Sequence, residues 1–146
     1  MKNCVLCETD GGEVIYRAGK WRVLIADEPN IPGFCRVILN DHIAEMTDLP
    51  IEERTALMDV VWLVEQVVRD TMQPHKINLA TLGNMVPHMH WHIIPRYNDD
   101  TTFPDSIWSA PRRTIVPEIL DSRKQRVPAL KQQLIAQLTA RYGESQ

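Results

Sequence analysis

A run of five residues, His88-Met89-His90-Trp91-His92, alternates histidine with an apolar side chain. Successive side chains of a β-strand point to opposite faces, so the three histidines would share one face of a strand. The two apolar residues between them, together with Ile93, would point to the other face and pack in a core. In a helix, the middle histidine would point away from the other two. The flanking prolines and the apolar alternates favour a strand, which Pro95 would close.

A row of three imidazoles on one sheet face suits three roles. Neutral imidazole is a good ligand for zinc, copper or iron. Imidazole can also be a nucleophile whose tautomer is set by its neighbours. The third role is a solvated polar face, but such faces usually mix threonine, lysine and glutamate and do not repeat histidine.

The rest of the chain predicts further strands and two helices. Residues 51–72 carry apolar side chains at three- and four-residue spacings, which makes one apolar helix face. Thr47 or Asp48 would cap this helix, and Pro74 would stop it. Strands are predicted at 13–17, 21–25, 34–39, 75–82 and 88–94, and a final helix from about Pro128 to Arg141. This order favours an α+β fold of about five mostly antiparallel strands, with the long helix packed on one face and a C-terminal helix.

Length and charge narrow the function classes. The 146 residues suit one domain, 1–146, in which residues 1–97 form the core and residues 98–146 a C-terminal extension and helix. The net charge is −3, and the sequence has no cluster of basic residues. Neither a nucleic-acid polymer nor a membrane surface is therefore an expected partner. The N-terminus lacks a signal-peptide core, and the longest apolar run, Val60 to Val64, is too short to span a bilayer. Three cysteines also suit a cytoplasmic protein better than a disulfide framework does.

The segment from Gly83 to Arg96, GNMVPHMHWHIIPR, resembles the histidine triad (HIT) signature, His-φ-His-φ-His-φ-φ with φ apolar. Its Gly-polar-x-Val-Pro lead-in and Pro-Arg exit are also similar to that family. Asp27, Pro32-Gly33 and the strand Val37 to Leu39 extend the resemblance upstream. It covers roughly Cys4 to Tyr97 and becomes weak afterwards.

The resemblance implies a nucleotide hydrolase or transferase. His90 would attack the α-phosphorus of a nucleotide and form a nucleotidyl-imidazole, from which water releases the nucleoside monophosphate. His92 would hydrogen-bond the phosphate and stabilise the charge in transfer. A backbone carbonyl could hold the ring of His90 in the tautomer that presents a free nitrogen. His88 would either support catalysis directly or bind a metal, and no metal is required for the step itself.

Four further residues are candidates for substrate binding. Asp27 lies where the family has an acidic residue or amide on the ribose hydroxyls, although a loop aspartate before Pro29 can also cap a turn. Asn84 and the amides near Gly83 could donate to phosphate oxygens, or could form a simple turn. Asn78 could do the same from the preceding strand, or be a satisfied buried amide.

The chain departs from the family at one position. Many members carry a fourth histidine directly after the Pro-Gly of the loop, where it supports the triad from behind. This chain has Phe34 there. For this chain, the resemblance therefore does not predict the supporting hydrogen bond or a high turnover.

Cys4 and Cys7 form a C-x-x-C pair with a spacing common in zinc sites. Some members of the wider superfamily, including the galactose-1-phosphate uridylyltransferases, combine such a pair with two histidines. The resemblance therefore implies a possible structural zinc held by Cys4, Cys7, His42 and His88. It would tie the N-terminus to the active strand and orient the neighbouring triad residues. The alternative is a reduced, frayed N-terminus.

Three functions stay open on the sequence alone. The first is a HIT-type enzyme acting on nucleoside phosphoramidates, nucleoside diphosphates or dinucleoside polyphosphates. The second is a non-catalytic nucleotide-binding module, which the departure at Phe34 makes plausible. The third is an iron or copper enzyme, for which Glu118 or the Asp99-Asp100 pair would have to fold back to supply a carboxylate. The resemblance also implies a homodimer.

Overall fold

A five-stranded antiparallel sheet organises the part of the chain that the computed structural model describes, residues 3–146. The strands are β1 (Glu13–Arg17), β2 (Trp21–Ile25), β3 (Cys35–Leu39), β4 (Lys76–Ala80) and β5 (His90–Arg96). Their spatial order is β1-β2-β3-β5-β4, and all neighbours pair antiparallel. The helices are α1 (Val5–Glu8), α2 (Ile51–Met72), α3 (Pro117–Lys124) and α4 (Val127–Tyr142). The predicted α+β class, with its long and C-terminal helices, is confirmed.

Two helices cover one face of the sheet. Helix α2 contacts β3 and β5, while α4 contacts β1 and α2. The buried side of α2 is valine-rich and consists of Leu57, Val60, Val61, Val64, Val67, Val68 and Met72. These side chains meet Val23, Val37 and Ile93 of the sheet in the main core. Because each fully buried side chain of this size contributes on the order of 2 kcal/mol, this face holds the sheet rigid beneath the site.

The opposite face carries two of the three histidines, His90 and His92. The strand begins at His90 and not at residue 88 as predicted, so His88 lies just before β5 and does not share this strand face. The register pairs Arg36 of β3 with His92 and Ile38 with His90 on β5. Since Val37 and Ile93 face α2, the alternation of the strands turns His90 and His92 to the other side. A small second cluster of Ala26, Phe34 and Ile94, with Ile31 and Ile107 against it, lies on this side of the sheet.

The end of β5 differs from the prediction. The strand does not stop before Pro95 but continues through it to Arg96, with Pro95 paired to Ile77 of β4. The carbonyl of Arg96 accepts from His75 on the β4 side, so the nitrogen of Pro95 faces the β3 side. Pairing with β3 has already ended at Ile93, and the missing N–H of proline therefore breaks no ladder bond.

The start of the long helix also differs from the prediction. Neither Thr47 nor Asp48 caps α2, because residues 46–48 form their own short 3-10 turn, closed by reciprocal hydrogen bonds between Glu45 and Asp48. Pro50 occupies the cap position of α2. At the other end, Gln73 adopts a left-handed conformation before Pro74, which agrees with the predicted stop. Helix α3, which begins at Pro117, was not predicted.

The Pro-Gly loop is fixed by a close approach to α2. Gly33 has a φ of 86°, which favours glycine. A Cβ at this position would lie 2.8 Å from Cγ of Met72, so the loop leading into β3 requires glycine there.

None of the helices within residues 3–146 combines the length and apolarity needed to cross a bilayer.

Candidate active site

The imidazole of His90 is oriented by a backbone carbonyl. His90 is the first residue of β5 and is half-buried. Its Nδ1 lies 2.6 Å from the carbonyl oxygen of His88. Because a carbonyl oxygen only accepts, Nδ1 carries the proton, and Nε2 of the neutral ring holds a free lone pair. A backbone carbonyl thus holds the ring of His90 in the tautomer with a free Nε2, the arrangement expected from the resemblance.

The second imidazole on this face, His92, is enclosed by aromatic rings. Its ring centroid lies 5.0 Å from that of His90, 5.5 Å from Phe34 and 5.1 Å from Trp108, each pair being edge-to-face. Burial, together with the charges of His90 and Arg36, lowers the pKa of His92 to about 4. His92 is therefore a neutral hydrogen-bonding group near pH 7 and not a cation.

Arg36 contacts His92 from the neighbouring strand. Its Nε lies 3.4 Å from Nδ1 of His92, and its guanidinium carbon lies 5.0 Å from the centroid of the Phe34 ring. The side chain is half-buried, and burial lowers its pKa, which the carboxylate of Glu28 opposes. A guanidinium has no acceptor, so Nε–H donates and Nδ1 of His92 accepts. The ring proton of His92 then lies on Nε2.

A segment that we call the strap, residues 98–113, carries Trp108 to the site. Its anchor is Arg96, which is 2% exposed and binds Asp100 through Nε at 2.8 Å and Nη2 at 3.1 Å. Nη2 also donates to the carbonyl of Asp105 at 2.7 Å. Although burial opposes ionisation of Asp100, the hydrogen bonds from Arg96 keep its pKa below the ordinary value. Strand β5 thus holds both the histidines and the base of the strap.

Four potential metal ligands converge beside the histidine face. The side-chain donor atoms of Cys4, Cys7, His42 and His88 all lie within 4.8 Å of one another. Nδ1 of His88 is 3.5 Å from Sγ of Cys4 and 3.4 Å from Sγ of Cys7, and Nδ1 of His42 is 3.4 Å from the same Cys7 sulfur. Sulfur and nitrogen ligands of a tetrahedral zinc are about 3.5 Å apart, given Zn–S near 2.3 Å and Zn–N near 2.05 Å. The donor set therefore fits a structural zinc.

The thiol environment supports metal binding by this group. Burial opposes the thiolate of Cys4, but hydrogen bonds from the backbone and side chain of Cys7 outweigh it and lower the pKa of Cys4. Cys35, which is fully buried in the main core, has its pKa raised by burial to about 12 and is an inert core residue. Of Cys4 and Cys35, it is Cys4 that has the environment of a metal ligand.

Arg22 fastens the cysteine-bearing segment to the sheet. Its side chain is buried and donates to the carbonyls of Leu6 at 2.8 Å and Asp10 at 2.9 Å. It also reaches Oδ1 of Asn40 at 3.1 Å. The N-terminal segment from Cys4 onward is consequently an ordered part of the fold.

The predicted substrate-binding residues lie in different places. Asp27 is exposed and lines a cleft with Glu13 and Lys124. Asn78 is on β4, where its Oδ1 accepts from Nη1 of Arg96 at 2.8 Å. Gly83 and Asn84 lie in the turn before the histidine run.

That turn explains the glycine of the motif. Gly83 has a φ of 71°, and Asn84 is exposed. Thr81 fastens the start of the turn by donating to the carbonyl of His90 at 2.8 Å. The side chain of Thr81 therefore ties the start of the turn to the first residue of β5.

Sequence reasoning missed Arg36 and Arg22 as site residues. Both lie in strands whose other residues are apolar. A charged residue inside such a strand was the signal in the sequence that could have pointed to them. The signal could not name the partner of Arg36, because the pairing of β3 with β5 brings together residues that are 56 positions apart.

Alternating histidines on an antiparallel sheet, with one imidazole fixed by a carbonyl and the next enclosed by aromatic rings, define a histidine-triad site. The chain belongs to the HIT domain family, whose sequence model matches residues 10–99.

Comparison with individual proteins supports this assignment. The chain is 31% identical over 104 residues to a bis(5'-nucleosyl)-tetraphosphatase (asymmetrical) of Schizosaccharomyces pombe, a match that covers 68% of this chain and 57% of that protein. It is 28% identical over 103 residues to an AP-4-A phosphorylase of Mycobacterium tuberculosis, covering 66% and 51%. The chain therefore spans a little over half the length of these relatives. A zinc-bound histidine triad family protein of Mycobacterium smegmatis has the same fold, with a TM-score of 0.62, 22% identity, and coverage of 95% and 97%.

Proposed function

We propose that this protein is a nucleotide hydrolase that attacks the α-phosphate of its substrate through His90. One observation carries the proposal: the hydrogen bond from Nδ1 of His90 to the carbonyl of His88 leaves Nε2 free on the open face of the sheet. The neutral His92 lies beside it, with its ring centroid 5.0 Å away. A free imidazole nitrogen next to a neutral N–H donor suits covalent nucleotidyl transfer.

The reaction has two displacements. The Nε2 lone pair of His90 attacks the α-phosphorus, and the bond from phosphorus to the leaving group breaks with its electron pair. The ring of His90 becomes a nucleotidyl-imidazolium, whose Nδ1–H stays on the carbonyl of His88. Water then attacks phosphorus and loses a proton, the P–N bond breaks, and the nucleoside monophosphate leaves. His92 donates Nε2–H to the phosphate in both steps, where negative charge accumulates.

The relatives support a substrate class without selecting one compound. The fission-yeast relative is named as a dinucleoside tetraphosphatase and the mycobacterial relative as a phosphorylase of a dinucleoside polyphosphate. We therefore place dinucleoside polyphosphates first, with nucleoside diphosphates and nucleoside phosphoramidates as the other substrates of the same chemistry. The exposed Trp108 beside His92 offers an aromatic face for a nucleobase.

Trapping the intermediate tests the function directly. Wild-type protein and the His90→Asn variant are mixed with a dinucleoside tetraphosphate or an adenosine phosphoramidate and quenched in alkali, because the P–N bond is acid-labile. Intact-protein mass spectrometry should then show a nucleotidyl adduct on the wild type only. If the wild-type protein bound AMP but showed neither turnover nor an adduct, the enzyme hypothesis would give way to that of a non-catalytic nucleotide-binding module.

We also propose that Cys4, Cys7, His42 and His88 hold one structural zinc. Their mutual distances and the lowered pKa of Cys4 support it. Zinc bound there would cross-link the N-terminal segment to the start of β5 and would take part in no chemical step. Because both cysteines must stay unoxidised to bind metal, a reducing, cytoplasmic compartment is the matching proposal.

This arrangement disfavours an iron or copper centre in the histidine row. His88 turns its Nδ1 toward the cysteine sulfurs, while Nδ1 of His90 is bound to a carbonyl. The imidazoles of the row therefore do not present their nitrogens to one common point. Chelation should accordingly leave the chemistry of His90 intact in folded protein.

We also propose a homodimer, because the two edges of the sheet differ in how they are covered. The outer edge of β1 is covered, because the backbone of Arg17 binds Ser145 and Gln146 of the C-terminus. Strand β4 lies at the other edge, beyond β5. Since open edge strands favour pairing with another chain, β4 and the neighbouring α2 are the expected interface. Light scattering after size exclusion should give twice the chain mass.

A further inference from the structure

We propose that Arg36 is a positioning residue that holds His92 as the tautomer with its proton on Nε2. The inference rests on the proposed function, because it assigns the donor that His92 uses toward phosphate. Three relationships carry it: strand register, a hydrogen bond and a shared aromatic support.

The register makes the contact a fixed one. Arg36 is directly opposite His92 in the antiparallel pairing of β3 and β5, so both backbones are held by the sheet ladder. Side chains at directly opposed positions lie about 5 Å apart at Cβ, which brings a bent arginine side chain onto the imidazole. The distance of 3.4 Å from Nε to Nδ1 of His92 is the result.

Phe34 supports both partners of this contact. The guanidinium carbon of Arg36 lies 5.0 Å from the centroid of its ring, in cation–π range, and the imidazole of His92 meets the same ring edge-to-face at 5.5 Å. Phe34 is 1% exposed and cannot move away. Phenylalanine has no donor of its own, so the hydrogen bond to Nδ1 comes from Arg36.

The consequence is a defined proton position on His92. An isolated neutral imidazole exchanges its proton between the two nitrogens. Arginine only donates, so its Nε–H on Nδ1 excludes the proton from that nitrogen and places it on Nε2. The low pKa of His92 agrees with a single proton on the ring. The tautomer thus needs no rearrangement when phosphate binds.

Nitrogen-15 NMR tests the tautomer without any substrate. Long-range proton–nitrogen spectra separate Nδ1–H from Nε2–H imidazoles, and the His92→Asn variant assigns the signal. We expect wild-type His92 to be the Nε2–H form at pH 7, and the Arg36→Met variant to show a mixture of both forms. A wild-type His92 ring protonated on Nδ1 would overturn the inference, even if the Arg36→Met variant did not fold.

Kinetics separates positioning from direct binding. Loss of a hydrogen bond that orients a reacting group costs about tenfold to a hundredfold in activity, so kcat of Arg36→Met should fall by that factor while KM stays within about twofold. Arg36→Lys, which keeps the charge but not the Nε–H, should lose kcat similarly. Arg141→Met on exposed α4 is the matched control and should behave as wild type.

The outcomes distinguish this inference from the proposed function. A tautomer change in Arg36→Met supports the inference even if the wild type hydrolyses no nucleotide, which would instead contradict the function. An active wild type with an unchanged tautomer and kcat in Arg36→Met overturns the inference alone. A raised KM with unchanged kcat overturns it as well, since Arg36 would then contact substrate directly.

Discussion

The carbonyl oxygen of His88 accepts a hydrogen bond from Nδ1 of His90 at 2.6 Å, while the imidazole of the same His88 faces the sulfurs of Cys4 and Cys7. One residue therefore joins two sites through its backbone and its side chain. Nε2 of His88 is also held, 2.6 Å from the carbonyl of Leu39 on β3. Whatever fixes the ring of His88 also fixes the carbonyl that orients the nucleophile.

Replacement of His90 by asparagine should abolish turnover and preserve binding. Asparagine keeps a polar side chain of similar width but has no nucleophilic nitrogen lone pair, so kcat should fall by at least about a thousandfold. The Kd for AMP should change by less than about threefold, as measured by titration calorimetry. His75→Asn, at an exposed position outside the site, is the control. Unchanged turnover in His90→Asn would contradict the assignment of the nucleophile.

Elemental analysis should find about one zinc per chain in wild-type protein. In His42→Ala, which removes a proposed zinc ligand that has no proposed role in the reaction, the zinc content and the Tm should both fall. His75→Ala, outside the zinc site, is the matched control for zinc content. Chelated protein that is still folded should retain turnover, because no proposed step uses the metal. Complete loss of activity with the fold intact would mean that the chemistry is metal-dependent.

The sequence predicted those parts of the fold that depend on local pattern. Residues 13–17 and 21–25 form strands and 51–72 a helix, with the predicted bounds, because period-two and 3.6-residue patterns are local signals. The course of β5 through Pro95 was missed, since it depends on where pairing with β3 ends. Sequence reasoning named the histidines, but the role of Arg36 depends on the same long-range pairing.

Replacement of Trp108 by alanine should raise KM with little change in kcat. Trp108 is 52% exposed and lies against His92, so it offers its ring to a bound nucleoside without touching the reacting nitrogen of His90. Loss of one aromatic stacking contact costs about 1 kcal/mol, or about fivefold in KM. Trp62 on α2 has the same 52% exposure on the other side of the sheet, so Trp62→Ala is a matched control. If Trp108→Ala and Trp62→Ala changed KM equally, Trp108 would not be part of the substrate site.

Stability should depend on pH through His92. The folded protein keeps this ring neutral down to about pH 4, whereas the unfolded chain protonates it near its ordinary pKa of 6.5. The unfolded state therefore binds more protons between these values, and the free energy of unfolding should fall as pH is lowered from 6.5 to 4. The contribution is roughly 3 kcal/mol at most, at about 1.4 kcal/mol for each unit of pKa difference.

Urea denaturation at several pH values measures this dependence. Subtracting the His92→Gln curve from the wild-type curve isolates the contribution of His92 from those of the other histidines. The wild-type value minus the variant value should fall steadily as the pH is lowered from 6.5 to 4, and it should stay flat above pH 7. A difference that does not vary with pH would show that His92 titrates normally in the folded protein.

Replacement of Arg96 by methionine should destabilise the fold and release the strap. The variant leaves the carboxylate of Asp100 buried without its partner, which costs about 3–5 kcal/mol. Arg112→Met breaks the exposed pair with Asp105 in the same strap and should cost less than about 1 kcal/mol. Urea unfolding gives both values, and in Arg96→Met the KM should also rise, because Trp108 loses its anchor. If the two variants were equally stable, the buried contacts of Arg96 would not be what holds the strap against the histidine face.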